Sequence, residues 1–181
     1  SLNEIKGYYF DIIEKVDLPM IVYNFPSNSG VTFDSDNAKD LLQNEKVVGI
    51  KHTSYDLYQM ERFKERDENL IVFNGHDEVF LAGLAMGADG AIGSTYNFMA
   101  EKFVKIQQLY QEGKFHEARK IQIEANSIID VLVKVGVYQG IKYALSLQGL
   151  NCGVCRKPFD ILTMEDKKNI QMVLENSRAI G

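Results

Sequence analysis

What this chain of 181 residues lacks narrows its class first. No apolar run approaches the roughly 20 residues of a membrane-crossing helix, so no membrane partner is expected. The opening Ser1-Leu2-Asn3-Glu4 has none of the basic-then-apolar pattern of a secretory signal. Cysteine is scarce: 2 residues are too few for a disulfide scaffold, and a reducing cytoplasm is the expected compartment. Basic charge is not concentrated. The 20 lysines and arginines are scattered among 25 acidic residues, for a net charge of −5, which leaves no cationic stripe for a nucleic-acid backbone. No nucleic-acid partner is expected. An initiator methionine is also missing, and the chain is expected to begin inside a longer protein.

With 45% hydrophobic and 25% charged residues, the sequence has the balance of a globular protein. Short apolar runs without polar alternation occupy residues 18–23, 47–51, 70–74 and 90–93, as parallel strands covered on both faces do. Helical spacing fills the gaps at 36–44, 55–66 and 77–86. A β-α unit recurring at intervals of about 20 to 29 residues predicts an α/β fold with a parallel sheet, doubly wound or barrel-like. A helix over 2–16 precedes the first strand. After the last strand the pattern is wholly helical, over 97–111, over 115–147 with a break near Gly136, and over 165–177. Two domains are expected, one over 1–113 holding the strands and a helical extension over 114–181.

Lys51 closes the second apolar run and is followed at once by His52 and Thr53. A charge at the end of a buried strand needs a reason. One reading is an ion pair with Asp77 or Glu78, or a stem that snorkels out of the sheet. The other is chemical: burial lowers a lysine pKa by up to roughly 3 to 5 units, and the neutral amine attacks carbonyl carbon. Tyr23 ends the neighbouring strand, either as a phenol that relays a proton to a condensing ketone or as an aromatic lid. Asp77 and Glu78 read as acids or acceptors for hydroxyls, or as ordinary complements to a helix dipole.

The glycine-rich segment Gly87-Ala88-Asp89-Gly90-Ala91-Ile92-Gly93-Ser94-Thr95 lacks both the Walker lysine and dinucleotide spacing, and reads as a tight turn with hydroxyls facing a pocket. Cys152-Gly153-Val154-Cys155 stands without a second pair, and the nearest histidine in sequence, His116, is far upstream, so structural cysteines rather than a metal site are expected. In a (β/α) barrel the carboxyl ends of strands form the active-site face. There Tyr23, Lys51, Thr53, Gly75, Asp77, Glu78 and Ser94 would line one pocket.

Five motifs in order, Tyr23-Asn24-x-Pro26, Gly49-Ile50-Lys51-x-Thr53, Asn74-Gly75-x-Asp77-Glu78, the glycine-rich segment continued to Tyr96-Asn97, and Cys155-Arg156-Lys157-Pro158-Phe159, resemble the N-acetylneuraminate lyases, class I pyruvate aldolases with the dihydrodipicolinate synthase fold. The resemblance implies a (β/α)₈ barrel of which this chain covers roughly strands five to eight plus the last helices, and a homotetramer for the whole protein. Lys51 matches the Schiff-base lysine and Tyr23 the proton-shuttling tyrosine. Thr53, Gly75, Asp77, Glu78 and Ser94 match positions holding sugar hydroxyls, and Tyr138 matches an aromatic at the pocket edge. The implied reaction cleaves sialic acid into N-acetylmannosamine and pyruvate with no cofactor.

Where dihydrodipicolinate synthases carry an arginine two residues beyond the motif proline, this chain has Asn28, so their dicarboxylate clamp is missing. The loop that grips the pyruvate carboxylate in relatives is also missing. By itself the chain is expected to be inactive. Two other readings remain open: a relative acting on 2-keto-3-deoxygluconate, and a half-barrel that only pairs with a partner half.

Overall fold

The computed structural model describes residues 1–178. The elements run α1 (Leu2–Lys15), β1 (Met20–Asn24), α2 (Pro26–Ser29), α3 (Lys39–Leu42), β2 (Val47–His52), α4 (Leu57–Arg66), β3 (Ile71–Asn74), a 3₁₀ turn (Asp77–Val79), α5 (Phe80–Ala85), β4 (Gly90–Ala91), α6 (Tyr96–Gln111), α7 (Phe115–Val135), α8 (Val137–Leu147) and α9 (Met164–Arg178). The packing divides the chain between Ile92 and Gly93. Helix α6, expected with the strands, groups with the helices that follow it.

In the first unit all strand pairs are parallel and the spatial order is β1-β2-β3-β4. A doubly wound sheet reverses its order at a switch point, whereas strands added in one direction are an arc of a barrel. The order decides between the two architectures left open above.

Local chemistry sets the helix boundaries. Ser1 caps α1 in a reciprocal capping box with Glu4. Asp56 caps α4 by accepting from the Gln59 amide at 3.2 Å, which starts that helix at Leu57 rather than Tyr55. The helix expected over 36–44 is reduced to Lys39–Leu42. Before it, Asp34 Oδ1 accepts from the amides of Asp36 at 2.9 Å and Asn37 at 2.7 Å, a local network that competes with helix.

Val22, Ile50 and Val72 are fully buried, in one core with Ile13 of α1, Leu41 of α3, and Met60 and Phe63 of α4. The opposite face is uncovered, as the interior of a half-barrel would be. Ile21 is 40% exposed and Ile71 37%, so helices cover one face of the sheet while the other stays open. That open face carries Tyr23 and Lys51, which pair in register, with Phe73 next to Lys51 on β3.

One residue further along, Asn24, His52 and Asn74 form a row of polar side chains, each about 1% exposed, beneath the helices. Asn24 clamps the following loop: its Nδ2 donates to the Phe33 carbonyl at 2.8 Å and its Oδ1 accepts from the Phe33 amide at 3.1 Å. The same Nδ2 lies 3.1 Å from His52 Nδ1, and His52 Nε2 lies 3.0 Å from the Asp56 carbonyl. A donor on one side and an acceptor on the other require the neutral Nε2–H tautomer. Burial holds the His52 pKa below its ordinary value, outweighing the opposing pull of Asp56.

A stability prediction arises from this row. The unfolded chain takes up a proton on His52 as pH falls through about 6.5, while the folded chain resists until lower pH. Stability is therefore complete above that value and declines below it, by at most about 1.4 kcal/mol per pH unit. Urea midpoints at several values between pH 7.5 and 5.5 are expected to fall with pH, and His52→Gln, which keeps a donor and an acceptor without a titrating ring, is expected to flatten the slope. An unchanged slope in that variant assigns the acid sensitivity elsewhere.

In the second unit α7 packs against α6, α8 and α9. Its buried stripe Ala118, Ala125, Ile128 and Leu132 shares the interior with Ile106, Ile141, Ala144 and Ile170. The predicted break falls at Gly136, whose φ of 106° is in the region that glycine alone adopts readily. Among the described residues no helix is long and apolar enough to cross a membrane.

Candidate active site

The first unit gathers six of the eight predicted site residues at the carboxyl ends of three adjacent strands. Tyr23 and Lys51 face each other in register on β1 and β2, and the Lys51 Nζ lies 4.2 Å from the centroid of the Tyr23 ring. Among the described residues Lys51 makes no ion pair, so pairing with Asp77 or Glu78 does not account for its position. The amine is partly buried and rests on an aromatic face at the mouth of the sheet.

Thr53 and Gly75 follow the ends of β2 and β3, and each is tied by its backbone to the last residue of the preceding strand. The Thr53 amide donates to the Asn24 carbonyl at 2.8 Å, and the Gly75 amide to the His52 carbonyl at 2.9 Å, extending the sheet pattern into the loops. The approach is so close that a Cβ on Gly75 would stand 1.9 Å from Thr53 Oγ1. Thr53 is 5% exposed, and its hydroxyl finds no hydrogen-bond partner among the described residues. A buried hydroxyl without a partner is a group that a bound molecule would satisfy.

Asp77 and Glu78 open the 3₁₀ turn, with Asp77 buried at 6% exposure. Glu78 is held from two sides. Tyr55 Oη donates to its Oε1 at 2.5 Å, and His76 Nδ1 lies 3.6 Å from the same oxygen. That hydrogen bond, reinforced by burial, pushes the Tyr55 phenol up to about 12. The Tyr55 ring lies parallel to His76 with centroids 4.3 Å apart, and His76 meets the edge of Phe25 at 6.2 Å. Phe25 in turn stacks on Tyr23 at 5.7 Å. A continuous file of rings thus runs from the amine of Lys51 to the carboxylate of Glu78.

Ser94 and Tyr138, the other two predicted residues, belong to the second unit. Ser94 is partly buried, and its carbonyl accepts from Asn97 Nδ2 at 2.8 Å ahead of α6. Tyr138 is 56% exposed in the first turn of α8 and meets Phe159 edge-on at 5.6 Å. Cys152 and Cys155 are both free, and among the described residues no group of three or more His, Cys, Asp or Glu side chains is placed to hold a metal ion.

Sequence reasoning missed Tyr55 and Phe25. Spacing put Tyr55 at the start of a helix; the signal for its contact with Glu78 was an aromatic within four residues of a strand end, followed by an Asp in capping position.

The arrangement offers a lysine amine, a phenol beside it, and acceptor oxygens on the next strand end. The dihydrodipicolinate synthetase family model matches residues 1–177. An N-acetylneuraminate lyase of Rhizobium meliloti (strain 1021) is 46% identical over 160 residues, which are 88% of this chain and 53% of that protein. The chain therefore spans about half the length of that curated relative. CdNal from Clostridium difficile, solved in complex with mannosamine, superposes with a TM-score of 0.94 at 36% identity, over 98% of this chain and 61% of that one. A catalytic lysine mutant of the Ruminococcus gnavus sialic acid aldolase superposes with a TM-score of 0.94 at 30% identity, over 99% of this chain and 62% of that one.

Proposed function

The chain belongs to the dihydrodipicolinate synthetase family, and from that premise we propose that the full-length protein is an N-acetylneuraminate lyase, splitting sialic acid reversibly into N-acetylmannosamine and pyruvate through a Schiff base on Lys51. The observation that carries the reading is the Tyr23–Lys51 pair, in register on the open face of the sheet with the amine 4.2 Å from the ring centroid.

In this mechanism the neutral Lys51 amine adds to the C2 ketone of the open-chain sugar acid, and water leaves to give an imine. Protonated, the imine withdraws the electrons of the C3–C4 bond as that bond breaks. The C4 hydroxyl proton passes to the Tyr23 oxygen as the phenolic proton moves on to the substrate's own carboxylate, and C4 becomes the aldehyde of N-acetylmannosamine. The enamine left on Lys51 takes a proton at C3, and hydrolysis releases pyruvate. Thr53 and the oxygens of Asp77 and Glu78 would engage the hydroxyls of the sugar, and an analogue lacking the hydroxyl that meets Thr53 would leave that buried oxygen without a partner among the described residues.

Support for the sugar comes from two sides. Asn28, exposed in α2, stands where the synthases of this family carry an arginine for a second carboxylate, and the relatives reported above include a sialic-acid enzyme and a mannosamine complex. The activity is assigned to the whole protein; the 181-residue chain assayed alone is expected to be inactive.

Turnover of sialic acid by the full-length protein, compared with that of 2-keto-3-deoxygluconate, tests the reading. A kcat/KM at least about 100-fold higher for sialic acid is expected, well within the discrimination open to a site that hydrogen-bonds specific hydroxyls. Preference for the smaller acid would reassign the protein within the aldolases of this family.

A further inference from the structure

Tyr55 has no place in the mechanism above, yet it makes the most specific contact to a residue that does. It leaves β2 three residues after His52 and reaches across to the loop after β3, where its hydroxyl donates to Glu78 Oε1 at 2.5 Å. An exposed tyrosine, 64% accessible, would ordinarily sample several rotamers. Here two contacts fix it: the hydrogen bond, and a parallel stack on His76 with 4.3 Å between centroids and 3° between planes. His76 is fixed in turn, because its carbonyl accepts from Asn74 Nδ2 at 2.6 Å and its ring abuts Phe25.

We propose that Tyr55 is a positioning residue that orients the Glu78 carboxylate toward the hydroxylated tail of the acceptor sugar, with His76 as the shelf that holds Tyr55 in place. The inference rests on the sialic-acid reading of this same site and deepens it by naming what sets acceptor specificity. A charge-assisted bond to one oxygen aims the whole carboxylate, since the plane of the group follows from its partners. The file of rings from Tyr23 through Phe25 and His76 to Tyr55 fixes the span between the reacting amine and that carboxylate. A short aldehyde captured near Lys51 need not reach Glu78. An acceptor with several hydroxylated carbons beyond its aldehyde can reach it and gain from a carboxylate held in one orientation.

The test is condensation of pyruvate with two acceptors by the full-length protein, N-acetylmannosamine and three-carbon glyceraldehyde, in wild type, Tyr55→Phe, Glu78→Ala and the double variant. Tyr55→Phe keeps the stacking ring and removes the donor. It is expected to lower kcat/KM for N-acetylmannosamine about tenfold, the scale of one hydrogen bond to a charged group, chiefly through KM. The loss for glyceraldehyde is expected to be at least about fivefold smaller. In the Glu78→Ala background the further cost of Tyr55→Phe is expected to vanish, because the two side chains act as one unit. Equal losses for both acceptors, no loss for either, or a full tenfold cost persisting without Glu78 would each overturn the proposal. A wild-type protein that joins pyruvate to glyceraldehyde but not to N-acetylmannosamine overturns the sialic-acid reading and this inference with it. That result is seen before any variant is made, so the two failures are distinct.

Discussion

Replacing Lys51 with arginine is expected to lower sialic-acid cleavage by the full-length protein roughly 10⁴-fold or more, the scale on which deletion of a group central to the chemistry is felt. The arginine keeps the positive charge and the length to lie over the Tyr23 ring, where the Lys51 Nζ now sits 4.2 Å from the centroid. It cannot lose a proton near neutral pH, so it forms no imine. Lys51→Ala is expected to be equally inactive, which would show that charge alone contributes little. An arginine variant retaining activity within about tenfold of wild type would assign Lys51 an electrostatic role and remove covalent chemistry from the account.

The second large effect is structural. Gly75→Ala is expected to destabilise the protein by roughly 3 kcal/mol, the upper end of overpacking costs, and to lower Tm by roughly 6 to 12 °C for a domain of this size. The added Cβ would meet Thr53 Oγ1 at 1.9 Å, its Cβ at 2.7 Å and its Cα at 2.8 Å. The last of these is backbone, so no rotamer change relieves it, and trimming the neighbour in a Gly75→Ala/Thr53→Ala double variant is expected to restore little. The two loops would have to separate, pulling apart the hydrogen bonds that join Thr53 to Asn24 and Gly75 to His52. Thermal unfolding checks this against Gly7→Ala in α1, where a Cβ meets nothing within 4 Å. That control is expected to be neutral or to stabilise by up to about 1 kcal/mol, because alanine favours helix. Equal behaviour of the two alanine variants would contradict the tight approach of these strand ends.

The strand-helix alternation was legible because the apolar runs are short and bounded, and because Lys51, a charge at the end of one, is anomalous. The break at Gly136 was legible for a similar reason, since a glycine inside a long striped helix costs stability unless a special φ uses it. What escaped the sequence was lateral. The polar residues Asn24, His52 and Asn74, each at the end of an apolar run, form a buried row under the helices that no local pattern reveals. Tyr55 and Glu78 lie 23 residues apart, on different strand-end loops, and no local period links them. Such pairings depend on the register between strands, which set Tyr23 against Lys51 and Lys51 against Phe73.

The candidate residues were more visible than their arrangement. Lys51, Tyr23, Thr53, Gly75, Asp77 and Glu78 all sit at or just beyond strand ends, where barrel chemistry concentrates. That Glu78 is shared with Tyr55 and His76, and that the Thr53 hydroxyl stands without a partner among the described residues, follows from contacts between separate strand ends that no local pattern carries.

The central claim is that the Lys51 amine bonds covalently to pyruvate. Incubating the full-length protein with pyruvate and borohydride, followed by peptide mass analysis, tests it most directly. The account predicts a reduced three-carbon adduct on the peptide containing Lys51, absent from the Lys51→Arg variant. An adduct on another lysine, or none at all in protein that cleaves sialic acid, would contradict it.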